Sequence, residues 1–360
     1  MVTSRFPPHL GGTETHVSEV SQRISGRGID VTVLTADVGG RLPPFEQRGA
    51  LVVRRFPARP RSTDLYASPA LAREVIQGSY DLVHVQGVHT LVPPMALAAA
   101  QRAEIPTVVT FHTGGHSSRL RTAMRGVQWW ALRPLLRRST ALIAVCAYEV
   151  ELFARRLGLD PKMIRLIRNG AEPLPFDDSV PEASGSPLVC SVGRLERYKG
   201  HHRLIAAMPT LLKMRPRAHL VVIGRGPYEE QLHRLADRLE VDHAVTFTAF
   251  DSTRRSALGT LLRSSDVVAL LSDYEAHPVA LLEALALGRK VVVAATSGLT
   301  ELARDAVATT VPLNVHPTVL AAVLANVAAR PDVPAPELPT WDDCVNDLIG
   351  VYAEVASDNC

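Results

Sequence analysis

Short apolar runs recur along this chain, each closed by glycine, proline or polar residues. They fall at residues 30–36, 51–56, 81–85, 107–111, 142–145 and 164–167, and again at 188–192, 220–223, 245–247, 267–271 and 291–293. Most are near-continuous rather than alternating, the signature of strands buried on both faces in a parallel sheet. The spacing between them predicts helices at 13–27, closed by Gly28, and at about 200–214, 228–239, 253–264 and 279–287. Strands alternating with helices imply an α/β fold of two doubly wound parallel sheets. Val2-Thr3-Ser4 reads as the end of a strand whose first half is missing.

Two proline-rich stretches divide the pattern. Residues 173–187 contain four prolines among small and acidic residues, and Pro331, Pro334, Pro336 and Pro339 form a second joint. We therefore expect a first domain over 1–175, a second over 176–338 and a C-terminal helix over 339–360 that leaves the second domain's series. At 360 residues the chain is too long for one ordinary core.

Charge changes this picture. Residues 1–175 hold 22 Arg/Lys and 13 Asp/Glu, net +9, whereas the remainder holds 17 and 23, net −6. A basic half beside an acidic half suggests separate partners. The arginines are scattered, so no nucleic-acid surface is expected. Arg119, Arg121, Arg125, Arg133, Arg137 and Arg138 flank Trp129-Trp130 on a helical stretch. That combination reads either as a membrane-surface or anionic-acceptor face, or as a solvated helix with its tryptophans packed inward. Cys146, Cys190, Cys344 and Cys360 form no C-x-x-C pair and read as reduced thiols. No signal peptide and no bilayer-spanning run is evident, so we expect a cytoplasmic protein, with peripheral contact at the inner membrane face through the basic first domain.

The chemistry concentrates in Gly193-Arg194-Leu195-Glu196-Arg197-Tyr198-Lys199-Gly200, directly after the apolar run 188–192. Ligands of open α/β sheets bind at that end of the strands. Two cations there can neutralise a departing phosphate or diphosphate; the bland alternative is a pair of surface charges. Glu275 and Glu283 follow as E-x7-E, the second inside an otherwise apolar helix. A lone Glu in such a helix needs a partner if buried, or can accept hydrogen bonds from ribose hydroxyls. Gly11-Gly12 precedes a helix N-terminus that favours an anion, or simply turns the chain. His112 closes the run 107–111 and can donate to a bound sugar, or cap and pack. His84, His89 and His116 are weaker candidates. The histidine spacings fit no zinc pattern and the chain contains no D-x-D, so we expect no metal and no cofactor beyond the substrate.

In order along the chain, P-P-x-x-G-G, D-x-V-H at Asp81–His84, T-F-H at Thr110–His112, Asn169-Gly170, G-R-x4-K-G, Gly224-x-Gly226 and E-x7-E resemble glycosyltransferase family 4, retaining enzymes of the GT-B fold. The resemblance covers essentially the whole chain. It implies two Rossmann-like domains facing a cleft, with a C-terminal helix crossing back to the first. It also implies that Arg194 and Lys199, after Gly193, bind the donor diphosphate and that Glu283 holds the ribose. Glu275 would contact the donor sugar, His112 would lie near its C6 hydroxyl, and Gly11 and Gly12 near the diphosphate and acceptor. Four features depart from the family pattern: Ala276-His277-Pro278 where Gly-Phe-Gly is frequent, Gln86 in place of a second His, Cys146 where Ser is common, and the short first strand.

The expected activity is retaining, metal-independent transfer from a nucleoside-diphosphate sugar to an acceptor hydroxyl; the basic first half suggests an anionic or lipid-linked acceptor, and a neutral natural product or polysaccharide precursor is the other candidate. A catalytically inactive nucleotide-binding partner protein is the alternative. A dinucleotide-dependent oxidoreductase is disfavoured, because no G-x-G-x-x-G opens either domain.

Overall fold

A computed structural model describes the chain apart from residues 10, 62–64, 89, 113–118, 178–184, 252–253, 305–306, 333 and 358–360, and apart from the side chains of 119–125. His89, Gly114-Gly115, His116 and Cys360 therefore lie outside the described residues, as do the side chains of Arg119, Arg121 and Arg125. Contacts divide the chain into two compact units. Residues 1–113, 120–170 and 339–360 belong to the first, and 171–338 form the body of the second.

The first unit runs β1 (Val2–Thr3), α1 (Gly12–Gly26), β2 (Thr32–Asp37), β3 (Phe45–Arg48), β4 (Leu51–Pro57), α2 (Pro69–Gln77), β5 (Val83–Gln86), α3 (Val92–Arg102), β6 (Thr107–Phe111), α4 (Arg119–Arg137), β7 (Ala141–Ala144), α5 (Ala147–Leu157) and β8 (Ile164–Leu166). Its eight strands are ordered β3-β4-β2-β1-β5-β6-β7-β8. All are parallel except β3, which pairs antiparallel with β4. The two-residue β1 sits centrally, Val2 opposite both Leu34 and Val85. The strand order reverses there, so the loops after β1 and β5 diverge at a switch point.

The second unit runs β9 (Leu188–Val192), α6 (His201–Met214), β10 (His219–Ile223), α7 (Glu229–Arg238), β11 (Val245–Thr248), α8 (Arg255–Ser264), β12 (Val267–Leu270), α9 (Val279–Ala286), β13 (Lys290–Ala294), α10 (Leu299–Arg304), β14 (Thr309–Val311) and α11 (Pro317–Ala328). Its six strands are ordered β11-β10-β9-β12-β13-β14, and every pair is parallel. β9 is the switch strand. Two apolar layers cover the sheet: one contains Leu204, Leu211, Leu320 and Leu324, the other Leu262, Leu281, Leu282 and Leu302. Fully burying each such leucine contributes roughly 1.5–3 kcal/mol before entropy.

The last helix, α12 (Trp341–Ser357), returns to the first unit. Trp341, Val345, Leu348 and Val351 are buried. Arg27 donates to Asp342 at 2.7 Å, tying α12 to the end of α1. Gly170 makes this return feasible, because a Cβ there would lie 2.4 Å from the Trp341 Cα. Among the described residues no helix is long and apolar enough to cross a membrane.

Candidate active site

In the second unit the polar groups gather where β9 and β12 end. The chain leaves β9 at Gly193, turns through Arg197–Lys199 and enters α6 after Gly200. Gly200 has φ +78°, and a Cβ there would stand 2.0 Å from the Leu271 carbonyl oxygen. Only glycine lets this turn lie against the end of β12. The two loops are then cross-tied: Asp273 N donates to Tyr198 O at 2.7 Å, and Arg203 donates to Leu271 O at 2.8 Å and to Asp273 at 2.7 Å.

This folding brings three predicted residues together. The Lys199 ammonium, its side chain 15% exposed, lies 2.6 Å from Glu275 Oε1. The same oxygen accepts from the Ser272 hydroxyl at 2.7 Å. Burial alone would lower the Lys199 pKa, but the Glu275 charge, with Tyr198, outweighs it and the net shift is upward. Lys199 is therefore a fixed cation at neutral pH. Arg194 lies in the same loop, 3.1 Å from Glu196 Oε1 and 3.4 Å from the Tyr198 hydroxyl, and is itself half exposed. Arg194 is thus held by an acid of its own loop and Lys199 by an acid of the loop after β12. Beneath them His201 Nδ1 is 2.9 Å from Ser191 Oγ. Burial first, and the Lys199 charge second, push the His201 pKa down to about 4.

Glu283 is buried on α9, and its carboxylate pairs with the Arg255 guanidinium at the start of α8. The apolar helix therefore does supply its Glu with a partner, one that lies 28 positions earlier. Sequence reasoning missed Arg255, Ser272 and His201. Only the position of His201 directly after the K-G pair was a usable signal.

The first unit presents neutral groups at the corresponding edge. His112 Nε2 is 2.7 Å from Gln86 Oε1, at the ends of neighbouring strands β6 and β5. Its ring stands edge-on to His16 of α1 at 4.6 Å between centroids. His16 Nδ1 meets Asn169 Oδ1 at 2.9 Å, and His84 meets Tyr352 of α12 at 2.5 Å and Thr110 at 2.7 Å. Burial pushes His16 down to about 4 and His84 well below its ordinary value. Gln86, the residue that departs from the family pattern, bridges the cluster. It also lies 3.2 Å from His84 Nε2. Gly11 and Gly12 sit at the start of α1, and a Cβ on Gly11 would fall 2.2 Å from a Glu14 carboxylate oxygen. The helix end that suits an anion thus already faces an acid of its own first turn.

The tryptophan pair on α4 divides. Trp129 is buried against Phe153, ring centroids 5.0 Å apart, with the Arg156 guanidinium 5.1 Å from its centroid. Trp130 is 76% exposed and Val127 65%. Neither reading of the pair as a unit holds, because adjacent helical residues face different directions. Cys146, Cys190 and Cys344 are buried, and burial pushes the Cys190 and Cys344 thiols up to about 12.

Comparison with known proteins fits this arrangement. Residues 10–173 match the Glycosyltransferase Family 4 model and residues 176–331 match Glycosyl transferases group 1. A glycogen synthase of Mycobacterium tuberculosis is 30% identical over 335 residues, covering 84% of this chain and 78% of that protein. The chain belongs to glycosyltransferase family 4. Its fold is GT-B, shared with solved family structures. The sucrose-phosphate synthase of Thermosynechococcus elongatus superposes with a TM-score of 0.79 at 18% identity, covering 99% of this chain and 98% of that one. An Anabaena protein crystallised with UDP and glucose gives 0.71 at 19% identity, covering 98% of each. This glycosyltransferase therefore carries its family's motif residues on the strand ends of two parallel-sheet units.

Proposed function

We propose that this glycosyltransferase moves a sugar from a nucleoside diphosphate to an acceptor hydroxyl with retention of anomeric configuration and without a metal. The observation that carries the reading is the Lys199–Glu275 pair, set beside Arg194 at the switch strand of the second unit. Fixed cations there suit a diphosphate leaving group. The Anabaena relative in fold is a UDP and glucose complex, which supports a nucleotide donor. In the transfer, the bond from the sugar's C1 to the phosphate oxygen breaks, and a bond from C1 to the acceptor oxygen forms on the same face. The acceptor proton passes to an oxygen of the departing diphosphate. Arg194 and Lys199 stabilise the charge left there, Glu275 and His112 orient the sugar, and Glu283 takes the ribose. Gly11 and Gly12 border the acceptor side.

The test is thermal shift with a panel of nucleoside diphosphates and their sugars, without added metal. Binding raises the melting temperature with occupancy. We expect a shift with one nucleotide class, lost in Arg194→Ala and Glu283→Ala. No shift with any of them sinks the reading. Binding without transfer to any acceptor would favour a catalytically inactive nucleotide-binding protein.

A second element concerns where the acceptor is met. On α4, Val127, Trp130 and Arg137 are exposed, as is Arg138 directly after it, and residues 105–148 contain six arginines and no acid. An apolar and basic face of this kind suits an anionic bilayer surface. We propose peripheral contact at the cytoplasmic membrane face and a lipid-linked or otherwise anionic acceptor. Co-sedimentation with phosphatidylglycerol vesicles should fall severalfold in Trp130→Ser. Equal binding to neutral vesicles, or no binding, would defeat this element.

A further inference from the structure

The Arg255–Glu283 pair joins two helices that the motif pattern does not connect. Arg255 is the first residue of α8, and its side chain is 27% exposed. Glu283 lies in the middle of α9, its side chain 6% exposed, among Leu281, Leu282, Ala284 and Leu285, all buried. A carboxylate in such surroundings is costly unless a partner takes its charge, and removing the partner of a buried ion is far more disruptive than removing an exposed pair. Guanidinium is suited to that task because its planar fork fixes the direction of the carboxylate as well as neutralising it. α8 begins one short loop after β11, on the same side of the sheet as the β9 and β12 loops, since all these strands are parallel. The pair therefore stands at the ligand-binding edge, with Arg255 as its more exposed member.

We infer that Arg255 is the positioning residue for Glu283, and that the two together make this enzyme select a ribose over a deoxyribose in its donor. The inference rests on the reading of Glu283 as the ribose acceptor, and it adds a residue from outside the recognised motifs. Arg255 holds the Glu283 carboxylate in one rotamer, so that both ribose hydroxyls meet an acceptor of fixed direction. A charge-assisted hydrogen bond to each hydroxyl then distinguishes ribose from its deoxy analogues by about tenfold or more. Without Arg255, the carboxylate loses its orientation, and the distinction goes with it.

Calorimetric titration tests this. Uridine, guanosine and adenosine diphosphates are each compared with their 2′-deoxy forms on wild type, Arg255→Met, Glu283→Gln and the double variant, with melting curves for all four. We expect wild type to prefer the ribose form of its nucleotide by about tenfold or more, and Arg255→Met to hold the two forms within about threefold of each other. The double variant should be no worse than Glu283→Gln alone, because Arg255 acts through Glu283. A merely structural role would lower the melting temperature and leave the preference intact, and that result overturns the inference. If Arg255→Met melts before titration, Arg255→Lys keeps the charge without the fork; a preserved preference there likewise overturns it. Wild type that binds none of the diphosphates overturns the donor reading itself and this inference with it. Wild type that binds one of them without regard to the 2′-hydroxyl overturns the assignment of Glu283 and leaves the cations' role standing.

Discussion

The two units place their polar centres at equivalent sheet edges but build them from opposite materials. In the second unit the edge is ionic: Lys199 with Glu275, Arg194 with Glu196, Arg203 with Asp273 and Arg255 with Glu283. In the first it lacks Lys, Arg and acids among its named contacts: His16 and His84, kept neutral by burial, with His112, Gln86, Asn169 and Tyr352, joined through ring nitrogens, amides and a hydroxyl. Net charge gives no hint of this, since the half with net −6 carries the site cations and the half with +9 carries the uncharged network. Bulk charge reports on the surface, whereas site charge reports on the ligand. A diphosphate needs cations that are already dehydrated and fixed, and the acids beside them keep those cations from standing alone in a low dielectric. Hydroxyls of a sugar need donors and acceptors of fixed direction, which neutral imidazoles and amides supply.

The largest effect should come from removing the cations of the ionic edge. Arg194→Ala and Lys199→Ala should each lower turnover by on the order of 10²–10³, as for loss of one preorganised donor to a developing anion. The two should part company in stability. Arg194 is half exposed but its partner Glu196 is buried, so its loss should cost about 1–2 kcal/mol. Lys199→Ala leaves the Glu275 carboxylate buried without its cation, which costs about 3–5 kcal/mol. Part of that should return in Lys199→Met/Glu275→Gln, while turnover stays low. Urea unfolding beside steady-state kinetics separates the two quantities, and a near-native rate in Arg194→Ala would remove the diphosphate assignment.

How far this contrast was visible in the sequence depends on the kind of signal. Strands buried on both faces announce themselves: residues 107–111 and 188–192 coincide with β6 and β9, and the other expected strands shift by one or two residues. Strand β3, Phe45-Glu46-Gln47-Arg48, has no apolar alternation, because it is an edge strand held by its hairpin to β4. Helices α2, α3, α5, α10 and α11 were not expected. α11 is nearly all apolar, which removes the period that marks an amphipathic helix, while α10 has only six residues. At the site, spacing identified the cations and acids but not their pairing. Lys199 meets Glu275 across 76 positions and Arg255 meets Glu283 across 28, and a single sequence carries no record of either contact. The neutral network was legible only as isolated histidines. Its coherence depends on α12 bringing Tyr352 back to His84.

Acid should weaken both units through histidines buried in the neutral form. His16 in the first unit and His201 in the second each have a pKa near 4 against about 6.5 when unfolded. Between those values the unfolded chain binds more protons than the folded one, so stability rises with pH. It is complete above about pH 6.5 and is lost as pH falls toward 4, by on the order of 3 kcal/mol for each histidine. Urea midpoints measured from pH 7 to pH 4 should show the decline, and His16→Gln should flatten it. An unchanged midpoint over that range would mean that these rings take up protons as readily in the folded as in the unfolded chain, and the contrast between a neutral and an ionic edge would fail.

The smallest effect sharpens what the neutral network does. The Tyr352 phenol is buried, and burial raises its pKa, so it stays an O–H donor. Its oxygen lies 2.5 Å from His84 Nδ1, and His84 Nε2 lies 2.7 Å from Thr110 Oγ1, so the ring is held at both nitrogens. Tyr352→Phe removes that partner and leaves one buried ring nitrogen unsatisfied, at about 1–2 kcal/mol. If the network is a scaffold that ties α12 to the sheet, urea unfolding should register that loss while turnover holds. If instead it transmits orientation through Gln86 to His112, turnover should fall while stability barely moves. The geometry favours the first outcome, because the short contacts run from His84 to Tyr352 and Thr110, whereas Gln86 reaches His84 only at 3.2 Å. His112 takes its direction from Gln86 Oε1 at 2.7 Å, a bond that Tyr352→Phe does not touch.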